Sequence, residues 1–109
     1  MDFISSVIKT MPVVASVLRN DFKSRDDDNI LLLAVWDVQA LNSKKDIRSY
    51  SDFREMLLNG DLAVPSTVIR TRRRLQVKHP ELRGDMYEER QKSDRIVRNQ
   101  IRLNFDNNF

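Results

Sequence analysis

Arg70, Arg73, Arg74 and Lys78 recur at steps of three, one and four, a spacing that gathers side chains on one face of a helix. On a wheel of about 100° per residue, Val68 and Leu75, flanked by Ile69, fall on the opposite face. A guanidinium fork can pair with a guanine edge or straddle phosphate oxygens, so a face of this kind suits a polyanionic partner. Thr67 and Arg70 stand near the N-terminal end of the segment, the end that reaches base edges when a helix enters a major groove. Ser66 precedes them as the expected N-cap. Arg73, Arg74 and Lys78 are placed to hold phosphates. The candidate nucleic-acid-binding residues are therefore Ser66, Thr67, Arg70, Arg73, Arg74 and Lys78. The competing reading makes them solvated charges on an ordinary amphipathic helix.

The charge distribution favours the first reading. Residues 1–65 hold eight Lys/Arg and ten Asp/Glu, whereas residues 66–102 hold eleven Lys/Arg and five Asp/Glu. A positive field concentrated in one third of a chain of 109 residues is what a surface facing a polyanion requires. Further along, Arg90, Lys92, Arg95, Arg98 and Arg102 alternate with Glu88, Glu89 and Asp94, which reads as a solvated face laced with intrahelical ion pairs. Other chemistry is poorly represented. His79, the single histidine, lies beside Pro80 with no clustered ligands and reads as a surface or capping residue. The run Asp26–Asp28 lacks the glycine and terminal glutamate of a calcium loop and reads as a helix cap. Cysteine is absent, so neither a disulfide nor a thiolate zinc site can form. With two glycines and no phosphate loop or nucleophile elbow, the sequence implies no enzyme, no cofactor and no metal.

The elements that must position the basic face are helical. Ile4, Val7, Ile8, Met11, Val14, Ala15, Leu18 and Phe22 follow helical spacing, but Pro12 predicts a break, with a short helix over 2–9 and a fresh one from about Thr10 to Asn20. Ser24–Asp28 reads as a polar linker. The helix over 28–41 is the expected core, because Ile30 to Trp36, Val38 and Leu41 wrap nearly the whole cylinder, with Trp36 a core aromatic. Ser49 or Ser51 caps a short helix with Phe53, Met56 and Leu57 inside, and Asn59-Gly60 stops it. Leu62–Pro65 is extended, and a helix runs from Thr67 to Lys78, ended by His79-Pro80. After a turn at 81–84, Asp85 and Glu88 open a final helix with Met86, Arg90, Val97 and Ile101 on its inner side, and 104–109 is a fraying tail.

The expected fold class is all-α: a compact bundle of four to six short helices containing a helix-turn-helix-like unit over about 51–79, with no substantial sheet. Residues 1–84 form the core, and 85–109 form a basic C-terminal helix with a flexible tail. The longest apolar run, Ile30–Trp36, is far shorter than the roughly 20 residues of a membrane span, and Met1–Thr10 is not signal-like, so no membrane is implied.

The chain resembles small helix-turn-helix-like DNA-binding proteins encoded by tailed bacteriophages and prophages. The resemblance is carried by Met11–Val14, Arg25–Leu32, Val35–Gln39, Pro65–Gln76 and Pro80–Gly84. It implies a phage origin, a cytoplasmic setting in an infected bacterium, and a DNA-linked role in regulation, replication or genome processing. Duplex DNA is the expected partner. Two alternatives stay open: a small adaptor or inhibitor that binds a host polymerase, helicase or nuclease, and an oligomeric packaging or replication subunit. A homodimer through the C-terminal helix, where Ile96, Val97, Ile101 and Leu103 leave apolar surface, is compatible with each.

Overall fold

The computed structural model describes the backbone of residues 3–107 and the side chains of residues 9–101. Five helices follow in chain order: α1 (Phe3–Asn20), α2 (Asp28–Asn42), α3 (Tyr50–Leu58), α4 (Pro65–Lys78) and α5 (Tyr87–Asn107). Two 3₁₀ turns, Phe22–Arg25 and Pro80–Leu82, complete the order, and no strand occurs among the described residues. The all-α expectation holds.

Residues 3–20 form one helix, not the two that Pro12 predicts. Proline removes a backbone hydrogen bond and costs about 3 kcal/mol in a helix interior. Pro12 is exposed, however, and Val14, Ala15, Val17 and Leu18 are buried immediately after it. Packing that face outweighs the missing bond, as it does in most helices whose stability is tertiary. Ile4, Val7 and Ile8 of the expected apolar face lie outside the described side chains.

The core is a triangle of α1, α2 and α4, each contributing one stripe. Val14 and Leu18, Leu31 and Val35, and Val68 with Leu75 meet at i, i+4 or i, i+7 spacing, and Leu82 of the second 3₁₀ turn closes the end. Asp27 caps α2 by accepting from the Ile30 N–H at 3.0 Å. Neighbours do not wrap α2 on most faces, as its hydrophobicity suggests: Leu33 is 62% and Leu41 76% exposed. The elements packed on α2 leave these side chains to water.

A smaller cluster lies at the far end of α2. Ala40, Met56 and Leu62 are buried there, with Trp36, Phe53 and Leu57 packed around them. Trp36 is half-buried. Its Nε1 donates to the Ala63 carbonyl at 2.7 Å, and its ring meets Phe53 edge-on at 5.1 Å. Gln39 Oε1 accepts from the Ala63 N–H at 2.9 Å, so the α3–α4 link is clamped to α2 from two sides. Ser49 caps α3 through the Asp52 N–H, and Gly60 takes a φ of 83°, the left-handed conformation expected after the Asn59 C-cap.

Helices α3 and α4 follow one another across a link of six residues but do not pack closely on each other, as the two helices of a helix-turn-helix would. The principal packing of α4 is with α1, α2 and the turn that follows it. Helix α4 begins earlier than expected: Val64 is the N-cap and Pro65 opens the helix, so Ser66 is inside and caps nothing. Proline at the first helical position has the right φ and lacks only an N–H that would be unpaired there anyway.

The final helix departs most from expectation. Arg90 does face the body, but Met86, Val97 and Ile101 are 47%, 52% and 63% exposed, and the helix continues through the expected tail to Asn107. The radius of gyration, 16.9 Å, exceeds the about 13 Å of a compact chain this long because α5 projects.

Leu31→Ala is expected to destabilise the fold by about 2–5 kcal/mol, and Leu33→Ala by less than about 0.5 kcal/mol, in urea denaturation followed by circular dichroism. Equal losses at the two positions would show that the buried stripe of α2 is misassigned.

Candidate nucleic-acid interface

Burial divides α4 into two faces. Val68, Thr71, Arg72, Leu75 and Gln76 are buried, while Ser66, Arg70, Arg73, Arg74 and Lys78 are exposed and Thr67 is half-buried. Five of the fourteen residues are Arg or Lys and none is Asp or Glu. The exposed cations span about 12 Å of helix axis from Arg70 to Lys78.

Neighbouring cations show what a structural role looks like here. Arg72 is buried, donating to the Ser24 carbonyl at 3.3 Å and pairing with Asp28. Arg25 donates to the Leu18 carbonyl at 2.8 Å and lies over the Phe22 ring. Arg83 donates to the carbonyls of Gln76 at 2.6 Å and Val77 at 3.1 Å, capping the end of α4, and stacks on Tyr87. Arg90 is paired with Asp26 at 3.3 Å. By contrast, Arg70, Arg73, Arg74 and Lys78 have no ion pair and no side-chain hydrogen bond among the described residues. Ser66 likewise makes no side-chain bond there, and the Thr67 carbonyl accepts from Thr71 Oγ1 at 2.7 Å.

The buried face of α4 is fastened by a polar hub that sequence reasoning missed. Gln76 Nε2 donates to the carbonyls of Arg25 at 2.9 Å and Leu82 at 3.2 Å, tying both 3₁₀ turns to the helix. Ser24, fully buried, donates to the Asp21 carbonyl at 2.6 Å, so the expected polar linker at 24–28 is a packed turn. Asp26 reaches under α5 and accepts from the Met86 N–H at 3.3 Å. It passes so close to Gly84 that a Cβ at that position would collide with its carboxylate. The signal was present for Arg72: it shares i, i+4, i+7 spacing with Val68 and Leu75. For Gln76 and Gly84 the partners lie 51 and 58 residues away in the chain, beyond any local pattern.

His79 ends α4, its N–H donating to the Leu75 carbonyl at 2.8 Å, and its ring pairs with Glu81 at 3.3 Å when protonated. No group of three His, Asp or Glu residues able to hold a metal occurs among the described residues. Nor is any described helix long and apolar enough to cross a membrane. Comparison with protein-family models, curated proteins and solved structures finds no match. Arg25–Leu32, Pro65–Gln76 and Pro80–Gly84, three of the five segments quoted above for the resemblance, meet at the hub just described.

Gly84→Ala is expected to cost about 1–3 kcal/mol through overpacking against Asp26. In the Asp26→Ala background the same change should cost much less, a coupling of about 0.5–3 kcal/mol in a double-mutant cycle. Additive losses would disprove the contact.

Proposed function

We propose that the chain binds nucleic acid, duplex DNA foremost, through the exposed face of α4, and that it does no chemistry on it. The observation that carries this reading is the contrast within one region: buried or anchored arginines all have carbonyl or carboxylate partners, while four cations on an acid-free helix have none. A helix face meant only for solvation would ordinarily intersperse acids three or four residues away, which lowers self-repulsion. Anchoring by Val68, Leu75, Arg72 and Gln76 holds the backbone of α4 still while Arg70, Arg73, Arg74 and Lys78 remain free to adapt. That combination suits phosphate contacts at positions 73, 74 and 78, and a base edge at Arg70, with Ser66 and Thr67 beside it at the helix start. On this reading the protein works as a regulator or as an accessory in replication or genome processing. Its setting is the bacterial cytoplasm, as the phage resemblance implies.

Binding should weaken steeply with salt, because each neutralised phosphate releases counterions. Three phosphate contacts to duplex DNA give a logarithmic slope of about −2.7. Arg73→Ala and Arg74→Ala should each reduce that slope by about one on every sequence, and Arg70→Ala should cost about 1–3 kcal/mol on a preferred site. Mobility shifts across a salt series read all three. If these substitutions leave DNA affinity unchanged but abolish binding to an acidic host protein, the adaptor reading replaces this one.

A further inference from the structure

Lys92, Arg95 and Arg98 of α5 are exposed, and none makes an ion pair or a side-chain hydrogen bond among the described residues. The intrahelical pairs that the alternating charges of this segment predict are therefore not formed there. Which way these cations face depends on how α5 lies against α4. Arg90 Nη2 approaches Gln76 Oε1 at 3.5 Å beside the last turns of α4, while Asp94 shares a concavity with Ile69, two turns earlier on that helix. Helix α5 thus starts beside the end of α4 and runs back along it. The mean direction of Ile69, Arg72, Arg73 and Gln76 marks the shared cleft on α4, and that of Tyr87, Arg90, Gln91 and Asp94 marks it on α5. Antiparallel right-handed helices, viewed from one end, wind in opposite senses, so equal rotations away from a shared cleft emerge on the same side. At about 100° per residue, Arg73 and Arg70 lie about 50° and 110° from the cleft around α4. Arg98, Arg95 and Lys92 lie about 30°, 90° and 150° from it around α5, in the same sense. A second concavity, lined by Arg83, Tyr87, Lys92 and Arg95, sets this flank beside the end of α4, because Arg83 donates to the Gln76 and Val77 carbonyls.

We propose that this flank of α5 is a second row of phosphate contacts for the same duplex that α4 engages, an inference that rests on the nucleic-acid reading of α4. Charge is one-sided around the helix. The opposite flank carries Ser93, Val97 and Gln100, and its one cation, Arg90, is paired with Asp26. Of the acids, Asp94 faces the cleft, and Glu88 stands in the first turn, where the helix dipole favours a carboxylate. From Gln91 to Arg98 the flank has no acid. Lys92, Arg95 and Arg98 span about 9 Å of helix axis, and no described side chain holds them in one geometry, which suits backbone phosphates over the fixed geometry that base reading needs. The row therefore adds affinity and register without sequence preference.

Fluorescence anisotropy of a labelled duplex with the full chain, over a salt series, tests it. Three further phosphates should steepen the logarithmic slope from about −2.7 to about −5.4. Arg95→Gln with Arg98→Gln should flatten it by about 1.8 on every sequence, with an unchanged melting curve because both side chains are exposed. Adding Ser93→Arg and Gln100→Arg to that pair restores the net charge on the opposite flank and should not restore the slope. A wild-type slope no steeper than about −2.7 overturns the proposal. So does a slope indifferent to the α5 pair, or one recovered by the relocated arginines, which would show that net charge alone acts. If Arg73→Ala and Arg74→Ala flatten the slope while the α5 pair does not, this inference fails alone; if neither set changes it, the nucleic-acid reading of α4 fails with it.

Discussion

The amide of Gln76, donating to the carbonyls of Arg25 and Leu82, is the constraint on which the arrangement of the chain depends. Both carbonyls belong to 3₁₀ turns, whose oxygens have few partners within so short a helix. Buried without a donor, each would cost about 1–3 kcal/mol. One side chain on α4 satisfies both, and so fixes where the chain enters α2 and where it leaves α4. Arg83 completes the closure from the other direction by donating to the Gln76 and Val77 carbonyls. Asp26 and Arg90 then seat the first turn of α5, in a space kept open by the absence of a side chain at Gly84.

The hub gives α4 one anchored face and one exposed face. Arg72, Arg73 and Arg74 are adjacent in sequence and alike in chemistry, yet Arg72 is buried against Ser24 and Asp28 while its neighbours face water. Rotation of about 100° per residue is the whole difference. Because hydrophobic and polar anchors both act on the inner face, the outer face carries charge without a stabilising task. A helix held by Val68 and Leu75 alone could rotate or slide; the directional bonds of Arg72 and Gln76 fix its register.

The remaining parts are attached less firmly and in different ways. Helix α3 is held at one end by Trp36, Phe53 and Met56, with the Ala63 backbone clamped by Trp36 and Gln39. Helix α5 is tied through its first turns and then projects. Such a molecule concentrates its stability in α1, α2 and α4, while its longest helix, of 21 residues, packs on the body only through its first turns.

Local chemistry was legible in the residues themselves. Helical spacing located α2, α3 and α4; the run Asp26–Asp28, the pair Ser49 and Ser51, and Asn59-Gly60 marked ends; and the wheel separated Val68 and Leu75 from Arg70, Arg73, Arg74 and Lys78. These signals act within a few residues of where they are written. Tertiary structure alone determined that Pro12 stays inside a helix, that Leu33 and Leu41 are left uncovered, and that Val97 and Ile101 face away from the body. It also brought Gln76 to Arg25 and Asp26 to Gly84, pairs whose members are 51 and 58 residues apart. Periodicity says that a face is apolar and not what covers it. A carbonyl's need for a donor is met by whichever side chain the packed core brings within reach, and that is a property of the assembled fold.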